Sequence, residues 1–253
     1  MRKAIFLFSI VGIMLLSQPA ALAADAVPNN LLISLWPEYN NSQVFFMQQV
    51  EIPGDTPLPA TVRFAFPSGV QVQWTGEILG PDISKDIQST PTVIQKDGYD
   101  EVAITLTKSR IGQAEAVWNG LKIDGQNRLL TLAWMQRYES RTTTFEFLQP
   151  SKSSDVVMTP KPTGNRQSPE GFTFYETAPK RIPVGQTATF NVTYKRSVTT
   201  PSVNDATTSG EQAAAGQTAG TAQNPINYWI LAAGFLVIGV IGAWYLYKES
   251  KKQ

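Results

Sequence analysis

The sequence has no cysteine and no histidine among its 253 residues. Without cysteine there can be no disulfide, no thiolate nucleophile, no iron–sulfur cluster and no covalently attached c-type haem. Without histidine there can be no Ser-His-Asp triad, no imidazole base and none of the usual zinc sites. Carboxylates are left for acid–base chemistry, and their spacing does not indicate a converging pair. We therefore expect no enzymatic activity and no cofactor.

An excess of either charge is also missing. The chain has 21 Lys and Arg against 20 Asp and Glu, a net charge of +1, so it lacks the basic footprint of a nucleic-acid-binding protein. Asp97, Asp100 and Glu101 cluster near a Gly-containing turn and could hold calcium, but they do not follow the EF-hand pattern. Acidic residues at turns are usually solvated, and we predict no metal site.

The N-terminus has the pattern of a secretory signal. Arg2 and Lys3 precede an apolar run over residues 4–17, and Ala21 and Ala23 then supply the small-x-small pattern of a signal peptidase site. We predict a signal peptide over residues 1–23, cleaved after Ala23. An uncleaved N-terminal anchor is the alternative.

A second apolar run lies near the C-terminus. Residues 230–244 carry no charge, and aromatic residues stand at both ends of the run. This predicts a transmembrane helix over residues 226–247, because about 20 apolar residues cross the hydrocarbon core. The basic tail, residues 248–253, places the C-terminus in the cytoplasm by the positive-inside rule. A buried core helix is the alternative, but the run has no polar stripe.

The segment before the predicted span differs in composition from the rest. Residues 197–225 contain almost no large apolar side chains and few charges, which predicts a flexible linker. Residues 24–196 form the predicted extracytoplasmic body. A secreted body without cysteine is typical of bacteria. We therefore expect a single-pass bacterial cell-membrane protein with its body outside.

Within the body, apolar and polar residues alternate with a period of two, which indicates strands with one buried face. The alternating apolar positions include Val44, Phe46, Val50, Ile52, Val62, Phe64, Phe66, Val70, Val72, Trp74, Val102, Ile104, Leu106, Ala114, Ala116, Trp118, Leu130, Leu132, Trp134, Ala188, Phe190, Val192 and Tyr194. Asp97-Gly98 predicts a tight hairpin turn. Three tryptophans, Trp74, Trp118 and Trp134, are predicted to be core residues because they fall on the apolar positions.

This pattern predicts a mainly β protein, an antiparallel β-sandwich with a single transmembrane α-helix. One composite sandwich and two immunoglobulin-like modules both fit the number of strands. A boundary between modules would fall near Gly120–Asn127. No Pro- or Ser-rich linker marks that position, which favours the composite unit.

Several segments are similar to one family of proteins. The opening "LLISLWPEYNNSQVFFMQQVEIPGDTPLPATVRFAFPSG" and the late "GFTFYETAPKRIPVGQTATFNVTYKR" resemble bacterial envelope proteins with a Leu-Trp-Pro-Glu-Tyr motif. The resemblance covers most of the body and is weakest over residues 78–127. It implies a signal, a β-rich body and one C-terminal span. It implies no activity and no site residues.

The segment Trp36-Pro37-Glu38-Tyr39 has two interpretations. Pro37 cannot donate to a strand ladder, so the segment could be a corner, with Trp36 on the core and the Tyr39 hydroxyl exposed to water. Alternatively, Trp36, Glu38 and Tyr39 could form a contact site for a sugar or a partner peptide. The corner is favoured, and the three residues remain the candidate contact site.

The function predicted from these features is a non-catalytic, membrane-anchored binding or scaffold module. Its expected partner is another envelope protein or a cell-wall component, met outside the membrane. Two alternatives stay open. A carbohydrate-binding module would show exposed Trp or Tyr residues in a row, and an accessory subunit of a membrane complex would bind through its span.

Overall fold

The computed structural model describes residues 23–205 of the chain. Within this range the secondary structure is β-strand apart from two short 3₁₀ turns, Ile83–Lys85 and Ser202–Asp205, and it includes no α-helix. The strands are β1 (Ala24–Asp25), β2 (Asn30–Pro37), β3 (Val44–Glu51), β4 (Ala60–Pro67), β5 (Gln71–Glu77), β6 (Ile87–Gln88), β7 (Thr92–Lys96), β8 (Tyr99–Leu106), β9 (Ile111–Trp118), β10 (Leu121–Asp124), β11 (Asn127–Met135), β12 (Thr142–Leu148), β13 (Ser153–Thr159), β14 (Gly164–Gln167), β15 (Thr173–Glu176) and β16 (Thr187–Arg196).

The strands form three sheets. The large sheet has eight strands in the order β14-β15-β12-β2-β3-β9-β5-β6. A four-stranded sheet, β1-β4-β8-β7, is called the β4 sheet below, and a second one, β10-β11-β16-β13, is called the β11 sheet. The large sheet takes strands from both sides of the 120–127 segment, which itself forms β10 and the turn into β11.

One continuous cluster of buried apolar side chains joins all three sheets. On its inner face the large sheet contributes residues such as Ile33 and Phe46, the β4 sheet contributes Phe64, and the β11 sheet contributes Phe190. The large sheet therefore forms one layer and the two small sheets form the other, which is a sandwich-like arrangement.

The prediction of β structure from alternation is confirmed for most of the body. In β11, buried and exposed residues alternate along the whole strand. The Asp97-Gly98 turn joins β7 to β8 as predicted, with Lys96 paired to Tyr99 and Gly98 at a φ of 79° that suits glycine.

Two findings differ from the prediction of antiparallel sheets with one wet face. First, β12 pairs with β2 in parallel and β1 pairs with β4 in parallel, whereas the other strand pairings are antiparallel. Second, β2 and β3 are buried on both faces. The alternation is lost there because a second apolar cluster, which includes Trp36, Phe45 and Phe174, covers part of the outer face of the large sheet.

The three tryptophans predicted for the core have different positions. Trp134 is buried in the core cluster, and Trp118 packs against the cluster while partly exposed. Trp74 is not in the core cluster. A register shift between Val72 and Trp74 pairs Trp74 with Glu115, whose side chain lies on the outer face of the large sheet. The bulge at this shift thus reverses the side-chain direction that strict alternation predicts.

Other predictions concern residues outside the described range: the signal peptide (1–23, except its last residue), the transmembrane helix (226–247) and the tail (248–253). Residues 23–205 contain no helix long and apolar enough to cross a membrane. Most of the predicted linker (197–225) also lies outside this range. Its first nine residues, 197–205, are described, and they contact the body.

Candidate functional site

The Trp36–Tyr39 segment is a corner enclosed by protein. Pro37 is the last residue of β2, and Glu38 follows with a φ of 51°, in the left-handed region that few residues other than glycine adopt. The side chains of the candidate site are buried, with 3% of Trp36, 4% of Glu38 and 2% of Tyr39 exposed. The structure therefore agrees with the corner interpretation for Trp36, whereas Tyr39 is buried and not exposed to water as that interpretation expected.

The two aromatic rings of the corner pack on the outer face of the large sheet. The Trp36 ring lies 5.0 Å from Tyr39, 5.3 Å from Phe45 and 5.6 Å from Phe174, measured between ring centroids. The Trp36 indole N–H donates to Ser34 Oγ at 2.6 Å. Burial raises the pKa of the Tyr39 hydroxyl well above its usual range, with the Glu170 charge adding to the effect.

The Glu38 carboxylate is the centre of a buried ionic cluster. It accepts hydrogen bonds from Arg128 Nε at 3.2 Å, from Arg196 Nη1 at 3.2 Å and from the Tyr194 hydroxyl at 2.8 Å. Burial, followed by the Glu38 charge, raises the pKa of Tyr194, so this hydroxyl remains a donor. Two arginines around one carboxylate leave a net positive charge in the interior. The Arg196 guanidinium also donates hydrogen bonds to carbonyl oxygens, including those of Ser151 and Val198.

This cluster holds residues 197–205, the last residues that the structure describes. The Ser202 N–H donates to the Glu38 carbonyl oxygen at 2.9 Å, and the Val203 N–H donates to the Tyr39 carbonyl oxygen at 3.1 Å. Ser202 is fully buried, and Asp205 pairs with Lys152 at 2.7 Å. We call Glu38, Arg128, Tyr194 and Arg196, together with residues 197–205, the Glu38 clamp.

The partners of Glu38 were not found from the sequence, although a signal for them exists. Arg128 and Arg196 occupy the same alternating positions as the buried residues of β11 and β16. A charged residue on a buried position requires a counter-charge or hydrogen-bonding partners. That pattern indicates a buried acid, but it does not say which one, because Glu38 lies 90 residues from Arg128.

A cavity of about 300 Å³ lies at the other end of β2, where the β4 sheet and the β11 sheet meet over the large sheet. Its floor comes from the large sheet, its two walls come from β4 and the end of β11, and residues 25–28 and 137–140 surround its mouth. We call it the inter-sheet cavity. Its lining residues are Asp25, Ala26, Val27, Pro28, Leu31, Gln48, Val50, Thr61, Arg63, Ala65, Trp134, Gln136, Arg137, Tyr138, Glu139 and Ser140.

Charged and phenolic groups connect the two small sheets at the mouth of the cavity. Arg63 pairs with Asp25 at 3.1 Å and with Glu101 at 2.8 Å. The Tyr138 hydroxyl donates to the second oxygen of Glu101, and Arg137 lies 4.4 Å over the Tyr99 ring. Burial raises the pKa of Tyr138, as does its bond to Glu101. These contacts tie the segment after β11 to the β4 sheet and so fix the mouth.

The acidic residues considered for calcium point apart. Asp100 accepts from the Gly69 N–H at 2.9 Å, whereas Glu101, its neighbour in β8, faces the other side of the strand and binds Arg63. Among residues 23–205 no group of three or more acidic side chains lies close enough together to hold a metal ion. The turn therefore uses its carboxylates for hydrogen bonds and an ion pair.

Two buried carboxyl groups lie on the outer face of the large sheet. Burial raises the pKa of Glu115 to about 7 and that of Glu146 to about 7, the latter in spite of its ion pair with Arg166. The cross-strand register runs from Glu146 through Ser34 and Met47 to Glu115, so three strand spacings separate them. That is roughly 14 Å, too far for the carboxyl pairs that cleave glycosides.

Comparisons with protein-family profiles and with curated proteins find no match to this chain.

Proposed function

We propose that this protein is a non-catalytic binding module of the bacterial cell envelope, anchored in the membrane by its C-terminal span. Its β body stands outside the membrane and contacts another envelope protein or a cell-wall component. The signal pattern of residues 1–23 and the charge-free run of residues 230–244 support this topology.

The observation that carries the proposal is the placement of the Glu38 clamp and the inter-sheet cavity. The clamp fixes the point at which the chain leaves the body towards the predicted span. The cavity lies near the opposite end of β2, with Leu31 in its lining. The seven residue-to-residue steps from Leu31 to Glu38 span roughly 23 Å along a strand. The anchored end and the cavity end of the body are thus separate.

In the proposed arrangement the linker follows Asp205. Residues 206–225 as a flexible coil have a root-mean-square length of roughly 25 Å. Confinement near the membrane raises the local concentration of the body around its partner, so weak contacts are enough for binding. The body acts as one unit, because the large sheet and the core cluster connect both small sheets.

The absence of a catalytic role is supported by the chemistry of the chain. It has no histidine and no cysteine, and the two buried carboxyl groups with raised pKa values do not converge. The carbohydrate-binding alternative loses support, because no Trp or Tyr in the described part of the chain is more than partly exposed. The accessory-subunit alternative depends on residues 226–247, which lie outside that part.

Topology is tested with the full chain tagged at its C-terminus in a bacterial host. We expect the chain in the membrane fraction, resistant to carbonate extraction, with its body digested by protease added to spheroplasts and its tag protected. A matched chain ending at residue 224 should leave the membrane fraction. Protection of the body, or digestion of the tag, would overturn the proposed topology.

Partner binding is tested by photo-crosslinking in the native membrane followed by mass spectrometry. A crosslinking amino acid at the exposed Glu139, beside the mouth of the cavity, should capture an envelope component. The exposed Val157, on the β11 sheet away from the cavity, is the matched control position. Absence of any crosslinked partner from both positions would contradict a binding role.

A further inference from the structure

Gln48 is a polar residue at a position where the fold buries apolar side chains. It lies on β3 between Phe46 and Val50, its side chain faces the inner side of the large sheet, and 0% of it is exposed. A buried amide is unfavourable unless its donor and its acceptor both have partners. Its place on an otherwise apolar face therefore requires an explanation.

One half of the Gln48 amide has a partner and the other half does not. Its Nε2 donates to the Ala65 carbonyl oxygen at 2.6 Å, and this bond fixes the orientation of the amide, since a flipped amide would set two oxygens against each other. The Oε1 atom has no donor among the described residues. Gln48 is one of the residues that line the inter-sheet cavity, so a molecule in the cavity would lie beside this amide.

The rest of the cavity lining favours an uncharged ligand. Leu31, Val50 and Pro28 present apolar surface, and Trp134 presents an aromatic ring whose N–H is already bonded to Gln136 at 2.8 Å. The charged residues of the lining have partners outside the cavity floor: Arg63 pairs with Asp25, Arg137 lies over the Tyr99 ring and Glu139 lies 4.0 Å from Arg181. A volume of about 300 Å³ is at the lower end for small-molecule pockets.

We propose that the inter-sheet cavity is a binding site for a small, uncharged, mainly apolar molecule that carries one O–H or N–H donor. The apolar part contacts Leu31, Val50 and Trp134, and the donor bonds to Gln48 Oε1. This inference deepens the proposed function and rests on it for the site's place outside the membrane. Binding itself is independent of topology, so the two can fail separately.

The test uses the full chain in lipid nanodiscs and two probes of nearly equal shape, phenol and toluene, of which only phenol has a donor. The chain is labelled with 5-fluorotryptophan, and the fluorine signal of Trp134 is assigned with a Trp134→Phe variant. Both probes should shift this signal saturably. Partition of the probes into lipid is the same for every variant, so it cancels when variants are compared.

Three variants test the role of Gln48. Gln48→Leu should raise the apparent Kd ratio of phenol to toluene about threefold to tenfold, the effect of one neutral hydrogen bond. Gln49→Leu is the matched control, because Gln49 is the next residue of β3, is also buried with an unpartnered Oε1, and faces away from the cavity. It should leave the ratio unchanged. Gln48→Met replaces Gln48→Leu if loss of the Ala65 bond prevents folding.

Two results would overturn the inference. One is the absence of a saturable shift of the Trp134 signal with either probe. The other is a phenol-to-toluene ratio that stays the same in Gln48→Leu or Gln48→Met, which would mean that the ligand does not use the Gln48 oxygen. Either result leaves the membrane topology and the crosslinking test unaffected.

Discussion

Arg196 donates a hydrogen bond to Glu38 at 3.2 Å, although the two residues lie 158 positions apart in the chain. Glu38 directly follows β2, the first long strand, and Arg196 is the last residue of β16, the last strand. Their contact therefore joins the beginning of the body to its end. It also brings residues 197–205 onto the Trp36–Tyr39 corner.

Removal of the Glu38 charge should destabilise the body strongly. Glu38→Gln leaves Arg128 and Arg196 buried without a counter-charge, which costs about 3–5 kcal/mol. Thermal unfolding of the full chain, followed by near-ultraviolet circular dichroism, should show the loss as a lower Tm. Glu51→Gln, an exposed change at the end of β3, is the control and should have little effect. Equal Tm values for both variants would show that the cluster contributes nothing.

Release of residues 197–205 from the Trp36–Tyr39 corner should expose a protease site without unfolding the body. Ser202→Asp places a charge at a fully buried position, so residues 197–205 should leave the corner and Arg196 should become accessible to trypsin. The exposed Asn204→Asp carries the same change in charge two residues further on and should not alter cleavage. Fragment masses after limited digestion measure the difference, and identical patterns for the two variants would contradict the docking.

Stability should depend on pH through Glu115. Burial raises the pKa of Glu115 to about 7 in the folded protein, so between its unfolded pKa and about 7 the folded state binds the extra proton. This contribution is fully present below the unfolded pKa and is lost as the pH rises through 7. Glu115→Gln should therefore raise the free energy of unfolding at pH 8 by up to about 3 kcal/mol, which is seen as a higher Tm. Below pH 4.5 it should change the Tm little.

The measurement for Glu115 is the Tm of wild type and variant at a series of pH values. Gln113 donates to Glu115 at 2.6 Å, and Asp86 is the nearby charge that adds to the raised pKa. Asp124→Asn, on the exposed β10, serves as the control with a carboxyl group removed elsewhere. A gain from Glu115→Gln that is the same at pH 4.5 and pH 8 would rule out titration as the cause.

The two halves of the sandwich should unfold together. Phe46→Ala removes a fully buried ring that packs against Phe66 of the β4 sheet, and Phe190→Ala removes one that belongs to the β11 sheet. Each change should cost about 3–5 kcal/mol in the free energy of unfolding. Because one core cluster contains both residues, either change should shift a single transition. Calorimetry that shows two transitions, with only one of them shifted, would instead indicate two independent modules.

The sequence predicts the strands better than it predicts how they are covered. Alternation identified the buried residues of β4, β8, β11 and β16, because each of these strands has one wet face. It could not show that β2 and β3 are buried on both sides, since the covering residues, Phe172 and Phe174, lie more than a hundred positions away. Trp74 was placed wrongly because a one-residue bulge reverses the alternation.

The candidate site was even less accessible to sequence analysis. Trp36, Glu38 and Tyr39 are the residue types of a recognition surface, and only their tertiary contacts show that they are buried. Gln48 was detectable in principle as the single polar residue on the inward-facing positions of β3, which it shares with Val44, Phe46 and Val50. Its significance depends on the cavity beneath it, which is formed by three separate sheets.

The position of Arg196 determines how the body would bear mechanical force from its anchor. A pull on the C-terminal end reaches the docked residues 197–205 first and then the end of β16, which has β11 on one side and β13 on the other. Tension is therefore divided between two ladders of hydrogen bonds, and the strand cannot be peeled away from a free edge. In the proposed topology, a body attached in this way would resist being drawn apart when the cell surface is deformed.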